Sequence, residues 1–286
     1  MARIAFIGLG TMGLPIARHL VAAGHDLVGY DLDRARAEAL GASVAGSATD
    51  AATGVDFAFT SLPDPDAVER SARAVAGAAP RGAIFVDLST GPPALAAQLA
   101  KELAGAGVAA LDSPVSGGPA GAEAATLTVM VGGARDAFER AEPLLRRLGR
   151  PFLVGTAGAG QTAKLCNNLV AGATMAALAE ACAIAAREGI DPALLYELLT
   201  TSTGDSRVLR TRFPLPGVDP AHPSSNDYRP LFMLDLIAKD LALALALGDS
   251  PVAASALEQY RRAQEAGLGA LDYSAVYLSR PAAPDG

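Results

Sequence analysis

Cysteine and histidine are scarce in this sequence. Its 286 residues hold two cysteines, Cys166 and Cys182, and three histidines, His19, His25 and His222. Both cysteines fall in one stretch with helical spacing. Sixteen residues of helix separate them by roughly 24 Å, beyond disulfide reach, so both are expected to be reduced, buried thiols. The histidines have no metal-ligand spacing, and no metal site is expected. Basic charge is also short: 23 Lys and Arg against 30 Asp and Glu leave a net charge of −7. Such a field repels phosphate, which argues against nucleic acid or an anionic lipid surface as a partner. Long uncharged apolar runs are missing too. The longest in the middle, Leu169–Ala179, is closed by Glu180 and is too short to span a bilayer. No secretory leader is readable ahead of the apolar stretch that follows Met1-Ala2-Arg3. The expectation is a cytoplasmic chain with no membrane partner.

What is present is an ordinary globular composition, 51% hydrophobic and 19% charged, over a length that suits two domains. The first half alternates short apolar runs with helical patterns. Strands are predicted at Arg3–Ile7, Asp26–Tyr30, Phe57–Ser61, Ala83–Asp87, Val108–Leu111, Thr126–Val131 and Phe152–Val154, with helices such as Thr11–Ala23, Pro65–Ala76 and Pro92–Ala106 between them. This alternation implies a doubly wound parallel sheet. The last strands are expected to be antiparallel, because Gly121–Thr126 is too short for a crossover helix. From Gln161 to Arg187 one helical pattern runs without proline, followed by Pro192–Thr200, Leu234–Leu247 and Val252–Ala266. The fold class is therefore α/β followed by all-α: residues 1–160, then 161–286, joined at a flexible glycine-rich segment, 155–160. Phe213–Pro230 is predicted to be a long loop and Pro281–Gly286 a frayed tail.

Gly8-Leu9-Gly10-Thr11-Met12-Gly13 lies between the first strand and the first helix. The first glycine allows the tight turn, the second lets a pyrophosphate approach the backbone, and the third lets helix and strand pack closely. The helix N-terminus offers N–H groups to the phosphates. Asp31 ends the second strand, eighteen residues past Gly13. A carboxylate there accepts the ribose hydroxyls of NAD and repels the 2′-phosphate of NADP. This is a Rossmann-type dinucleotide site, and NAD is the expected cofactor. Arg34, three residues on, is either a contact for a 2′-phosphate or a solvated residue at a helix start.

Two further stretches carry chemistry. Asp112-Ser113-Pro114-Val115-Ser116-Gly117-Gly118-Pro119 follows a strand. Its Ser-Gly-Gly turn is either a nest of backbone N–H groups suited to a carboxylate or a tight loop between strands. Gly158-Ala159-Gly160-Gln161-Thr162-Ala163-Lys164-Leu165-Cys166-Asn167-Asn168 opens the long helix. Lys164 and Asn168 are four apart and share a face, while Asn167 points about 100° away. Lysine in a first turn is disfavoured by the helix dipole, so Lys164 is either an acid/base or a surface lysine.

Together these stretches resemble three motifs of the β-hydroxyacid dehydrogenase family, in the family's order. A fourth, Lys239-Asp240-Leu241, is similar to the family's C-terminal cofactor-contacting motif, and the likeness runs from about residue 3 to residue 280. It implies that Lys164 is the catalytic acid/base, that Ser116, Gly117, Gly118 and Asn168 hold the substrate, and that Leu62, Pro63, Thr90 and Lys239 line the cofactor beside Gly8–Gly13 and Asp31. It implies reversible NAD-dependent oxidation of a short β-hydroxyacid to its semialdehyde. A base must be neutral, so burial and the oxidised nicotinamide are expected to push the lysine's pKa down. Pro214-Leu215-Pro216-Gly217-Val218, Asn226, Tyr228 and Phe232 are most similar to the branch acting on 3-hydroxyisobutyrate. The chain departs from that branch at Thr203-Gly204-Asp205-Ser206-Arg207-Val208, with Arg210 and Arg212 following. A reductase of another small aldehyde acid, such as tartronate semialdehyde or sulfolactaldehyde, is an alternative, and the arginine cluster would suit a second anion. Imine reductases share the architecture but usually lack the lysine. A dinucleotide-binding protein without turnover is the remaining alternative. Apolar helix faces past Leu234 are expected to be covered in a homodimer or homotetramer.

Overall fold

The structure, a computed structural model, describes residues 1–280. The segment Pro281–Gly286, expected to be frayed, lies outside the described residues. The chain divides into two compact units, Met1–Lys164 and Leu165–Gly286. The first unit runs β1 (Arg3–Ile7), α1 (Gly13–Ala22), β2 (Asp26–Tyr30), α2 (Arg34–Glu38), β3 (Ser43–Val44), α3 (Ala48–Ala52), β4 (Phe57–Thr60) and α4 (Pro65–Ala78). It continues through β5 (Ile84–Asp87), α5 (Pro93–Gly105), β6 (Ala109–Asp112), β7 (Val115–Ser116), α6 (Gly118–Glu123), β8 (Leu127–Gly133), α7 (Arg135–Leu145) and β9 (Gly149–Gly155). Helix α8 (Ala159–Arg187) starts in the first unit and continues into the second, which adds α9 (Pro192–Thr201), α10 (Arg207–Arg212), α11 (Leu234–Leu245) and α12 (Pro251–Glu265).

In the first unit β1, β4 and β5 read as continuous apolar runs because helices cover both faces of a parallel sheet. All four residues of β4 and of β5 are buried. Alternate residues feed opposite cores. Ile4 and Phe6 point into a cluster with Phe59, Ile84 and Val86, and Ala5 and Ile7 into one with Ala58, Phe85 and Leu99. The Phe6 and Phe59 rings stack 6.0 Å apart. The strand order is β3-β2-β1-β4-β5-β6-β8-β7, with β9 on β8. β1 pairs in parallel with β2 on one side and β4 on the other, so the order reverses at the carboxyl end of β1, where such sheets bind ligands.

The end of the sheet is only partly antiparallel. β8 runs antiparallel to β6 and β7, but β9 is parallel to β8. The reason is α7, a crossover helix between them that the sequence reading did not pick out. The Ser-Gly-Gly stretch also leads into the short helix α6 rather than a plain turn.

In the second unit Met175, Ala179 and Cys182 of α8 pack with Ile237 and Leu241 of α11 and Tyr260 of α12. The Tyr260 hydroxyl donates to Gly172 O at 3.0 Å. This corrects one expectation about the thiols: Cys182 is buried but Cys166 is exposed. Sixteen residues turn a helix by about 160° relative to Cys182, so the two sulfurs point to opposite sides. Burial pushes the Cys182 thiol up to about 12. By length and composition α8 as a whole is apolar enough to cross a bilayer, contrary to the reading of its central run as too short. Met175, Ala179 and Cys182 on that helix nonetheless sit in the core. The 213–230 loop is irregular as expected, apart from a 3₁₀ turn at Pro223–Ser225. It is held from within: Ser224 Oγ donates to Phe213 O and Leu215 O, and the Tyr228 hydroxyl to Pro214 O.

Candidate active site

Because β2, β1, β4, β5 and β6 are neighbours and parallel, their carboxyl ends share one edge of the sheet. Gly8, Asp31, Leu62, Thr90 and Asp112 stand at or just past those ends. Gly8 has φ +91°, a conformation that favours glycine. A Cβ on Gly13 would lie 1.9 Å from Gly8 O, so only glycine lets α1 start this close to β1. At Gly10 the nearest atom to such a Cβ is a side-chain nitrogen of Arg36, 3.7 Å away, which leaves the backbone open to a ligand. Thr11 and Met12 complete the turn into α1, whose first N–H groups have no partner within the helix.

Asp31 ties this turn to β2. Its Oδ2 accepts from Leu9 N at 2.7 Å and its Oδ1 from Asp33 N at 2.9 Å. Each oxygen keeps a further lone pair, so the carboxylate still suits ribose hydroxyls. The open glycine backbone and the acid together fit a dinucleotide. Arg34 pairs with Glu38 at 2.8 Å on the exposed side of α2, as in the bland reading of that residue. Arg36 is the arginine next to the glycine turn. It pairs with Asp33 at 3.3 Å while its guanidinium reaches Gly10. Sequence spacing singled out Arg34 because it is nearer Asp31, but two residues of helix rotate the side chain by about 200°, and Arg36 is the one that reaches Gly10.

Leu62 lies beside Gly8, its Cδ2 2.8 Å from the position a Gly8 Cβ would take. Leu62 N donates to Ser89 Oγ at 2.9 Å, which joins the loop after β4 to the loop after β5. Pro63 is exposed at the same loop and Thr90 half-buried. Beneath them lies Asp87, whose Oδ1 accepts from Thr60 Oγ1 at 2.8 Å and Ser89 N at 3.0 Å. Burial raises the Asp87 carboxyl to about 6, against the pull of these donors.

Lys164 is buried in the second turn of α8. The start of that helix is pinned rather than flexible. Asp112 Oδ1 accepts from Gly158 N and Oδ2 from Gln161 N, both at 2.8 Å. Burial pushes the Asp112 carboxyl up, and the N–H donors of Gly158 and Gln161 pull it back. Ser116, Gly117 and Gly118 form their own turn from β7 into α6, with φ +141° and +64° at the glycines. In the second unit Asn168 is buried and donates to Asp240 Oδ2 at 2.6 Å, and Lys239 Nζ lies 3.3 Å from Asp240 Oδ1. Asp240 thus joins two residues that the motifs single out separately. It was legible only as the middle of Lys-Asp-Leu. Asn167 donates to Asn168 Oδ1 at 2.9 Å.

The arginines after Asp205 separate. Arg210 binds both Asp205 oxygens and Thr200 O on the surface. Arg212 lies over the Tyr273 ring and 3.5 Å from the fully buried Asp272. Arg207 is exposed.

Known proteins match this arrangement along nearly its whole length. The family described as NAD binding domain of 6-phosphogluconate dehydrogenase matches residues 3–167. The one described as NAD-binding of NADP-dependent 3-hydroxyisobutyrate dehydrogenase matches residues 158–279. The NAD-dependent L-serine dehydrogenase of Pseudomonas aeruginosa is 40% identical over 96% of this chain and 97% of its own length. The 3-hydroxyisobutyrate dehydrogenase of the same organism is 42% identical over 86% of this chain and 85% of its own. The solved structure of 3-hydroxyisobutyrate dehydrogenase from Mycobacterium tuberculosis with L-serine superposes with a TM-score of 0.92 at 37% identity, covering 98% of this chain and 99% of that one. The chain belongs to the β-hydroxyacid dehydrogenase family. It is an oxidoreductase, and NAD is its cofactor. The nicotinamide group supplies the hydride acceptor, and the residues of this β-hydroxyacid dehydrogenase supply binding and orientation.

Two outcomes follow from this site. The dehydrogenase should prefer NAD over NADP in kcat/KM, and Asp31→Ala should shrink that preference; a wild type that prefers NADP would mean Arg36 outweighs Asp31. Asp87, raised to about 6 in the fold, contributes stability that is present below pH about 4 and lost as pH rises through about 6. The amide of Asp87→Asn keeps an acceptor for Thr60 and Ser89 without the charge. Its stability relative to wild type, read by urea unfolding, should therefore rise by about 2 kcal/mol between pH 4 and 7. A pH-independent difference would refute the assignment.

Proposed function

We propose that the enzyme oxidises 3-hydroxyisobutyrate, or a close β-hydroxyacid, to its semialdehyde and runs the reverse reduction. The observation that carries the reading is the buried Lys164 on a helix start fixed by Asp112. In it, Lys164 Nζ takes the substrate hydroxyl proton during oxidation and returns it in the reverse direction. A positioned amine can do this by accepting the proton as the hydride departs in oxidation and donating it as the alkoxide forms in the reverse direction. The backbone N–H groups at Ser116, Gly117 and Gly118 hold the carboxylate, and Asn168, its amide oriented by Asp240, holds the substrate. Gly8–Gly13, Asp31, Leu62, Pro63, Thr90 and Lys239 line the cofactor.

L-serine is the second reading, favoured by the 40% identical relative named for it. Both compounds carry a hydroxyl on the carbon β to a carboxylate and differ in the small group beside it. Doubly anionic aldehyde acids are less well supported, since Arg210 and Arg212 already have carboxylate partners within their own unit.

We also propose self-association as a homodimer or homotetramer. The expected apolar faces of α11 and α12 are largely buried against each other and α8, with Ile237, Leu241, Ala256 and Leu257 in one core. Exposure falls instead on Val170 and Ile184 of α8 and Leu194 and Leu198 of α9, each at least half exposed. Apolar surface of this kind marks an interaction face.

NAD reduction over a panel of short hydroxyacids tests the catalytic reading. The highest kcat/KM should fall on 3-hydroxyisobutyrate or L-serine, and Lys164→Ala should lower turnover by about 10²–10⁴-fold while NAD still binds. A variant keeping half its activity would return Lys164 to a structural role. Light scattering should give a multiple of the single-chain mass, reduced by Leu194→Glu with Leu198→Glu; a monomeric wild type would end the assembly proposal.

A further inference from the structure

Gln161 lies one turn before Lys164 on α8, so the two share a face, and only 2% of it is exposed. Three polar groups of this one residue are engaged across the sheet edge. Its N–H donates to Asp112 Oδ2 at 2.8 Å. Its side-chain Oε1 accepts from Gly91 N at 2.9 Å, and its Nε2 donates to Ser89 O at 2.8 Å. Ser89 and Gly91 are the neighbours of Thr90, so one amide grips the main chain on both sides of that residue. Ser89 Oγ in turn accepts from Leu62 N, which extends the connection to the loop after β4.

We propose that Gln161 is a positioning residue, a two-pronged amide clamp that holds the Thr90 turn in fixed register with the turn of α8 bearing Lys164. The inference rests on the reading of Lys164 as the acid/base and Thr90 as a cofactor-lining residue. A clamp is needed because these residues belong to separate segments, the loop after β5 and the start of a helix after β9. Asp112 fixes the height of that helix start through bonds to the N–H groups of Gly158 and Gln161, and neither of those bonds reaches the Thr90 turn. The Gln161 amide closes that gap. An amide suits the task where a carboxylate does not, because one partner is a donor and the other an acceptor, and at neutral pH the amide offers both while the carboxylate only accepts.

The test uses the full-length enzyme with NAD and its best hydroxyacid. Gln161→Ala removes both prongs, and kcat should fall while KM for NAD rises, together about 10- to 100-fold in kcat/KM for two hydrogen bonds. Gln161→Glu carries a signature that loss of packing would not. When the introduced carboxyl is ionised it still accepts from Gly91 N but opposes the Ser89 carbonyl. When protonated, its O–H donates to Ser89 O and restores the clamp. The ratio of variant to wild-type activity should therefore climb as pH falls. Asp87 lines the same pocket and Asp112 accepts from the N–H of residue 161, so both favour the protonated form of the introduced carboxyl and move the pH at which the ratio climbs without changing its direction. Gln161→Ala with kcat and KM for NAD within twofold of wild type would overturn the clamp. So would a Gln161→Glu ratio flat with pH, which also decides the matter if the alanine variant fails to fold. A wild type that binds NAD but oxidises none of the hydroxyacids would overturn the catalytic reading itself, and the clamp with it.

Discussion

The site depends on one buried carboxylate. Asp112 ends β6 and accepts backbone N–H groups of Gly158 and Gln161 at the start of α8. An isolated carboxylate this deep would be costly, so it must be hydrogen-bonded or give up its charge. A helix start supplies both N–H donors without partners of their own and the positive end of the dipole. Without Asp112 those donors would be stranded, and α8 would lose the contact that sets where Lys164 stands. The approach is close enough to dictate residue type. A Cβ on Gly160 would lie 2.4 Å from both Asp112 O and Met130 O, so the glycine before Gln161 is a packing requirement of the same contact.

The same edge concentrates acids. Asp87 and Asp112 are register partners on adjacent strands, and their proximity adds to the burial that raises the Asp87 carboxyl. Both are turned inward to backbone and hydroxyl donors. The groups left to meet an anionic cofactor are backbone N–H groups at the glycine turn and the guanidinium of Arg36 beside Gly10. A chain of net charge −7 can thus bind a dinucleotide while the carboxylates nearest the glycine turn are occupied by donors of the chain itself.

Much of the first unit was legible because its strands are short apolar runs punctuated by Gly, Pro and Asp. β1 and β2 fall where the pattern puts them, and Asp31 can be located by counting from Gly13. What was not legible depends on contacts far apart in sequence. The parallel pairing of β9 follows from α7, whose charged, amphipathic stretch hides between two strands. The exposure of Cys166 follows from helical phase across sixteen residues. Arg36 displaced Arg34 because about half a turn of a short helix decides which side chain faces Gly10. Gln161 carried no signal at all as a lone amide in a glycine-rich motif, since its partners Ser89 and Gly91 lie some seventy residues earlier. The 155–160 segment read as flexible from its composition, yet Gly160 is there for close approach to Asp112 and Gly158 for close approach to Pro93.

The order of the motifs along the chain has a physical origin in the sheet. In a parallel sheet every strand delivers its last residue to the same edge, so a site built there must be written as short segments, one after each strand. Gly8, Asp31, Leu62, Thr90 and Asp112 follow β1, β2, β4, β5 and β6, and those strands are contiguous in the sheet. A helix that is to present an acid/base to that edge must start there, and its start must be tied to more than one strand end to fix both height and rotation. Asp112 of β6 supplies the first tie, through backbone bonds that set height. The Gln161 amide on the loop after β5 supplies the second, through a side chain whose bonds resist rotation about the helix axis. Two ties, one through the backbone to β6 and one through a side chain to the loop after β5, hold the turn of α8 that bears Lys164.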